Sequence, residues 1–218
     1  MNPNTLGIPI NVVVATLFTR ARQAFASFGE RRRAGRVWAC LVTMLLAGQV
    51  MAGQDDEAAA WQALAQGGHV ALMRHALAPG IGDPAGFALD DCSTQRNLST
   101  AGRAQAQAIG ERFREKGIPV AAVRSSRWCR CLDTARLLGL GEVIPTPALD
   151  SFFRDRSTAE HQTAETRALI EAWDGEGTLV LVTHQVNISA LVGAGVGSGD
   201  IAVVRPGDTG LTRVGWIR

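Results

Sequence analysis

A chain of 218 residues, 46% of them hydrophobic and 19% charged, has the length of one catalytic domain of ordinary size and no room for two. Its formal charge of +2 hides a division, since residues 1–52 carry six arginines and one acid while residues 53–218 carry 16 basic and 19 acidic residues. The larger part is slightly acidic with scattered arginines, which excludes a nucleic-acid partner that would need clustered positive charge.

At the amino terminus, Arg31-Arg32-Arg33-Ala34-Gly35-Arg36 precedes an apolar run from Val37 to Met51, followed by Ala52-Gly53 and the acidic Asp55-Asp56-Glu57. Basic, apolar and small is the order of a secretory signal peptide, and Val50 and Ala52 suit the small-residue positions before a cut near Gly53. The run is about 15 residues, with Thr43 and Gln49 inside it, short of the ~20 that a membrane-spanning helix needs. Residues 1–52 therefore read as an extension with a signal peptide, residues 53–218 as the folded domain, and the mature protein as periplasmic or secreted, touching a membrane only through the signal segment. Residues 1–30 read as the product of a start codon placed too far upstream. Because residues 2–29 lack acids and hold Arg20 and Arg22, a mitochondrial presequence is the alternative.

A short helix is predicted from Asp55 to Ala65, broken by Gly67-Gly68. The apolar run His69 to Met73 has strand length and delivers Arg74 and His75 to its carboxyl end. Pro79 to Asn97, with Gly80, Gly82, Pro84 and Gly86, reads as a long loop covering a pocket. Ser99 is a good N-cap for a helix over Ala101 to Glu115, stopped at Gly117. Val120 to Val123 is a second strand, and Ser125-Ser126 opens a helix from about Arg127 to Leu138. This puts Arg130 in a first turn, where free amides and the helix dipole favour an anion. A short strand at Val143-Ile144, a helix from Ala159 to Trp173, a strand from Thr178 to Thr183 and a helix from Asn187 to Val192 come next. Two edge strands, Ile201 to Val204 and Leu211 to Ile217, end the chain. Strands alternating with helices imply an α/β fold, a three-layer sandwich with a mainly parallel central sheet and helices on both faces.

Three stretches thus end where strands run out, the place where open α/β sheets bind ligands: Arg74-His75, Ser126 to Arg130, and Thr183-His184. Two arginine forks hydrogen-bond phosphate oxygens bidentately, and a neutral imidazole attacks phosphorus once its other ring nitrogen is held. A backbone carbonyl just after His75 is the expected holder. Gln95 and Arg96 lie in the covering loop. His69 reads as structural, His161 as solvated, and Trp128 and Trp173 as core. A zinc site on His75 and His184 is disfavoured because Arg74 and Arg130 beside them repel a cation. With Cys40 in the signal segment, Cys92, Cys129 and Cys131 remain. Cys92 is expected to bridge to one of the other two, which are too close in a helical turn to pair together; three buried thiols are the alternative.

The stretch Ser126-Arg127-Trp128-Cys129-Arg130-Cys131-Leu132-Asp133-Thr134-Ala135 resembles the histidine phosphatase superfamily, which includes phosphoglycerate mutases and acid phosphatases. The match is Ser, Arg four residues later, then Thr-Ala. Leu98 to Ala106 resembles the helix after that family's first loop, and Val182-Thr183-His184 its second histidine strand; together with Arg74-His75 they span about residues 69–192. The resemblance implies a phosphoglycerate mutase-like fold and a metal-independent phosphomonoesterase without a cofactor. In it His75 becomes phosphorylated, Arg74 and Arg130 clamp the phosphate and His184 completes the cage. Ser126, Gln95, Arg96 and Gln185 are the expected substrate contacts. Ala76 stands where the family often has Gly. No motif fixes the general acid; Asp150 and Asp155 are the candidates. The expected partner is a phosphorylated small molecule, glycolipid or phosphoprotein. A cell-envelope sugar phosphate is included because the layout resembles exported sugar phosphatases. The alternative is a non-catalytic phosphate-binding module of the same fold.

Overall fold

The run predicted to start the sheet forms strand β1 (Val70–Arg74), and its first four side chains are fully buried. The other unbroken apolar run forms β4 (Thr178–Thr183), buried along its whole length. Strands covered on both faces do not alternate apolar with polar residues, and these two lie side by side and parallel at the centre of a six-stranded sheet. The computed structural model describes residues 56–173, 175–207 and 210–218. The signal segment, its cut near Gly53 and Cys40 lie outside the described residues.

The remaining elements, in chain order, are helix α1 over residues 56–66, α2 (Thr100–Glu115), β2 (Val120–Ser125), α3 (Cys129–Leu138), β3 (Val143–Pro145), α4 (Ala159–Glu171), α5 (Gln185–Val192), β5 (Ile201–Gly207) and β6 (Gly210–Ile217). The sheet order is β3-β2-β4-β1-β5-β6. The first four strands of that order run parallel, and β5 is antiparallel to both β1 and β6. On one face, Leu64 of α1, Phe113 of α2 and Leu138 of α3 pack on Ala71, Met73, Val180 and Val182. On the other, Ile170 of α4 and Ile188 of α5 pack on Val70, Leu72, Leu179 and Leu181. The three-layer α/β sandwich is therefore present. Among the described residues no helix is long and apolar enough to cross a membrane.

One expectation about the sheet is corrected. β5 is interior, with β1 on one side and β6 on the other, and Ile201 to Val204 are buried. Among the described residues only β3 and β6 are edges of this sheet.

Ser99 caps α2 as expected, its side chain accepting from the Gly102 amide. Two glycines inside α2 mark close approaches of backbone. A Cβ at Gly110 would lie 1.9 Å from the Leu138 carbonyl oxygen, and one at Gly102 would lie 2.1 Å from the Leu77 carbonyl oxygen. Alanine at an open helix position gains about 1 kcal/mol over glycine. Gly110→Ala should instead destabilise by about 1–3 kcal/mol, as overpacking does. An unchanged or raised urea midpoint would show that the α2 and α3 backbones can separate at no cost.

Candidate active site

Parallel pairing sets Arg74 opposite Thr183, and the His75 amide donates to the Thr183 carbonyl at 2.9 Å. On the other side of β4, the Ser126 amide donates to the Val182 carbonyl at 2.9 Å. Backbone hydrogen bonds thus carry Arg74-His75, Thr183-His184 and Ser125-Ser126 to one end of the sheet, and α3 starts shortly after, at Cys129. Arg74, His75, Arg130 and His184 all line one cleft there, with Arg96 and Gln185.

His75 is buried and its Nδ1 lies 2.8 Å from the Ala76 carbonyl oxygen. A carbonyl only accepts, so Nδ1 carries the proton and Nε2 keeps its lone pair. Ala76 is held in turn, its amide donating to Thr134 Oγ1 at 3.0 Å. Burial, with the charges of Arg130 and Arg74 adding to it, lowers the His75 pKa to about 3 despite the opposing Ala76 bond. The ring is neutral at physiological pH.

His184 lies with its ring centroid 5.5 Å from that of His75. Its Nδ1 is 3.5 Å from an Arg130 guanidinium nitrogen, which only donates, and its Nε2 is 2.9 Å from Ser126 Oγ. Nε2–H therefore donates to Ser126, whose hydroxyl donates to Asp150 Oδ1 at 3.2 Å. Burial first, then Arg130 and His75, hold His184 well below the ordinary histidine range. The Ser126 to Asp150 chain fixes its tautomer, as a hydrogen bond at the far nitrogen does for functional histidines.

Arg130 is buried and its Nε has no partner among the described residues. Its two terminal nitrogens reach both carboxylate oxygens of Asp83, at 2.7 and 3.3 Å. Arg74 has one terminal nitrogen on the Val196 carbonyl at 2.8 Å, and its buried Nε also has no partner among the described residues. Arg96 binds the Gly82 and Ala78 carbonyls through its guanidinium. Burial lowers the pKa of both Arg74 and Arg96. With Arg154 also lining the cleft, four guanidinium groups against one carboxylate make it an anion site.

Several expected site residues lie elsewhere. Asp150 is buried behind Ser126, its carboxylate accepting from the Arg127 amide at 2.8 Å and pairing with the Arg127 guanidinium. It orients His184 through Ser126 and does not line the cleft. Asp155 caps the short 3-10 turn Arg156–Thr158 by accepting from the Ser157 amide and hydroxyl, and it does not line the cleft either. Ser126 touches His184 and does not line the cleft. Gln95 is consumed by the covering loop: its amide nitrogen donates to the Ala88 and Leu89 carbonyls and its oxygen accepts from the Cys129 amide. Because Asp150, Ser126 and Gln95 take the amides of Arg127, Trp128 and Cys129, these amides before and at the start of α3 do not present an anion site. The helix start that lines the cleft is that of α5, which comes directly after His184 without a side-chain cap and contributes Gln185 and Val186.

Asp83 is the residue that sequence reasoning missed. It accepts from the Trp128 indole at 3.1 Å and the Arg96 amide at 3.1 Å besides pairing with Arg130. Burial pushes its carboxyl up, but Arg130, the Arg96 amide and Trp128 together outweigh burial and hold it below the usual carboxylate range. Its place between Gly82 and Pro84 in a pocket-covering loop was the available signal, a faint one. Trp128, read as core, packs against the core and also walls the cleft, stacked on Phe87 with ring centroids 5.1 Å apart. Trp173 packs on the core as expected. His69 bonds the Gly67 carbonyl, and His161 is exposed beside Glu165.

Cys92 is bonded to Cys129, which ties the covering loop to the first residue of α3, and Cys131 is a buried free thiol. Among the described residues no group of three or more His, Cys, Asp or Glu side chains is placed to hold a metal ion.

The fold and site define an α/β protein with a neutral histidine set among arginines where its central parallel strands end. Its residues 70–175 match the model for the histidine phosphatase superfamily, branch 1. Among solved structures, it is similar to the protein histidine phosphatase SixA complexed with tungstate, at 17% identity and a TM-score of 0.49, over 68% of this chain and 96% of that one. It is also similar to a mycobacterial glucosyl-3-phosphoglycerate phosphatase, at 18% identity and a TM-score of 0.49, over 68% of this chain and 95% of that one. No curated protein matches it significantly. The match to the superfamily model supports a phosphatase activity.

Proposed function

We propose that this chain is a metal-independent phosphomonoesterase that works through a phosphohistidine at Nε2 of His75. The observation that carries this reading is the bond from His75 Nδ1 to the Ala76 carbonyl, which leaves Nε2 as the lone-pair nitrogen in a cleft rich in guanidinium groups. Phosphoryl transfer asks a protein mainly for positioning and charge stabilisation. Arg130 and Arg74 supply the charge, the first turn of α5 adds its dipole, and His184 donates to the phosphate once protonated at Nδ1, supported through Ser126 by Asp150. The electron pair of Nε2 forms the N–P bond as the ester P–O bond breaks, and water then cleaves the N–P bond, releasing phosphate and restoring neutral His75. Metal independence is favoured by the arginines, whose charge repels a cation at the histidine pair.

The substrate is a phosphorylated small molecule, glycolipid or phosphoprotein. Export through a signal peptide is supported by the Cys92 to Cys129 disulfide, since such bonds persist in oxidising compartments. Amino-terminal sequencing of the mature protein tests it, and a retained residue 1 would refute it.

The purified full chain, with chelator present, should hydrolyse 4-nitrophenyl phosphate and trap a phosphoryl group on His75, and His75→Ala should do neither. A folded wild type that binds phosphate but turns over nothing would assign a binding role. Activity that needs an added divalent cation would remove the metal-independent part.

A further inference from the structure

We infer that Asp83 is the proton donor to the leaving group, held on Arg130 until a phosphoryl group takes its place there. This rests on the phosphatase reading above.

Breaking an ester P–O bond to an unactivated alcohol needs a proton at the departing oxygen, and neither Asp150 nor Asp155 lines the cleft. Among the described residues that do, Asp83 is the only acid. Its side chain is 5% exposed and that of Arg130 is 3% exposed. A carboxylate with both oxygens on a guanidinium occupies the fork that a phosphate would use. The resting cleft therefore holds an internal anion at the position where the substrate's phosphoryl oxygens bind.

The other contacts of Asp83 keep it in the cleft once it is displaced. The Arg96 amide serves Oδ1 and the Trp128 indole serves Oδ2, so neither depends on Arg130. When the phosphoryl group takes Arg130, the carboxyl stays tethered beside it. Gly82, with φ +68°, and Gly80, with φ +95°, give the loop backbone room to adjust.

Displacement also changes the charge that Asp83 meets. Arg130 from α3 is then neutralised by the phosphate, and a phosphoryl dianion lies next to the carboxylate. Arg96 from the same loop, Arg74 at the end of β1 and Arg154 from the segment before α4 are the other charged groups in the cleft, with His75 and His184 neutral. A neighbouring anion raises a carboxyl pKa, so Asp83 takes up a proton from solvent as substrate binds. In the transfer step its O–H bond breaks and the proton forms an O–H bond on the leaving oxygen, while the N–P bond forms at His75 and the ester P–O bond breaks. The carboxylate left behind accepts a proton from the attacking water in the second step.

The test compares kcat/KM for 4-nitrophenyl phosphate, whose leaving group needs little help, with that for phenyl phosphate, in wild type and Asp83→Asn. Asn retains an acceptor for the Arg96 amide. The variant is expected to lose at least about a hundredfold more on phenyl phosphate than on 4-nitrophenyl phosphate, within the range of general acid catalysis. It is also expected to bind inorganic phosphate more tightly than wild type, because nothing competes for Arg130, and this reports that its pocket has folded. Equal losses on both esters, or no loss on either, would overturn the assignment while the wild-type rates leave the phosphatase reading standing. A wild type inert on both esters would overturn that reading and this one with it.

Discussion

Arg130→Ala is expected to lower kcat/KM for an aryl phosphate by about a thousandfold or more, the scale on which a single arginine acts in phosphoryl transfer. Its buried guanidinium faces both His184 and the position now held by Asp83, so its removal strips charge from the phosphoryl oxygens and withdraws the donor to His184 Nδ1. Arg130→Lys keeps the charge without the planar fork and should recover only a small part of the loss. Stability should also fall. Removing one member of a buried ion pair leaves the other uncompensated, at a cost of about 3 kcal/mol at the lower end of the usual range, which the glycine-flanked loop makes the relevant end. The sign with pH comes from the depressed pKa of Asp83. The ion pair contributes fully above the ordinary carboxylate range and its contribution is lost as pH falls through the lower, folded-state value. The stability gap between wild type and Arg130→Ala should accordingly be widest at neutral pH and close under acid. Urea midpoints measured across that range test it, and a gap independent of pH would mean that Asp83 is not ionised on Arg130.

Removing the Cys92 to Cys129 bridge, by reduction or as Cys129→Ser, is expected to destabilise the fold by about 4 kcal/mol on the chain-entropy scale for a separation of 37 residues. The closed loop contains Arg96, whose amide holds Asp83, and Gln95, whose oxygen accepts from the Cys129 amide. Loss of the bridge should therefore loosen the covering loop before the sheet, with proteolytic cuts appearing first between residues 79 and 97. Cys131 will not substitute: it is fully buried, and burial pushes its thiol up to about 12. Thermal unfolding with and without reductant, beside a thiol count, checks this. Complete reduction with no shift in Tm would show that the loop is held by its hydrogen bonds alone.

The parts of this structure legible in the sequence are those set by local runs. β1 and β4 are visible because strands covered on both faces are continuous apolar segments, and the positions of Arg74, His75 and His184 are set by where those runs stop. Pairing is less legible, because a run of apolar residues does not say which neighbours it has. β5 and β6 look alike as segments, yet β5 lies inside the sheet and β6 closes it. The choice of disulfide partner between Cys129 and Cys131 stays open in the sequence for a similar reason. About 100° of rotation per residue puts the two on different sides of α3, and only the tertiary structure shows that Cys129 meets the loop while Cys131 meets Thr183 and His184. The two acid candidates, Asp150 and Asp155, do not line the cleft, and Asp83 does. Asp150 is a support for His184, and the carboxylate in the cleft comes from a loop where one aspartate among glycines and prolines carries no periodic signal.

The position of β4 between β1 and β2 has a consequence for how the protein is made. β1 and β2 leave the ribosome first, but they are not neighbours in the finished sheet; the slot between them is filled by a strand synthesised much later. Until β4 arrives, the end of β1 that carries His75 and the turn that leads to Arg130 have no shared strand to align them, and His184 arrives with β4 itself. Pairings between distant segments form late because the chain must close long loops before they are rewarded. No shorter nascent chain can therefore hold the complete cage, and the full capacity to bind an anion there should appear when the sheet closes.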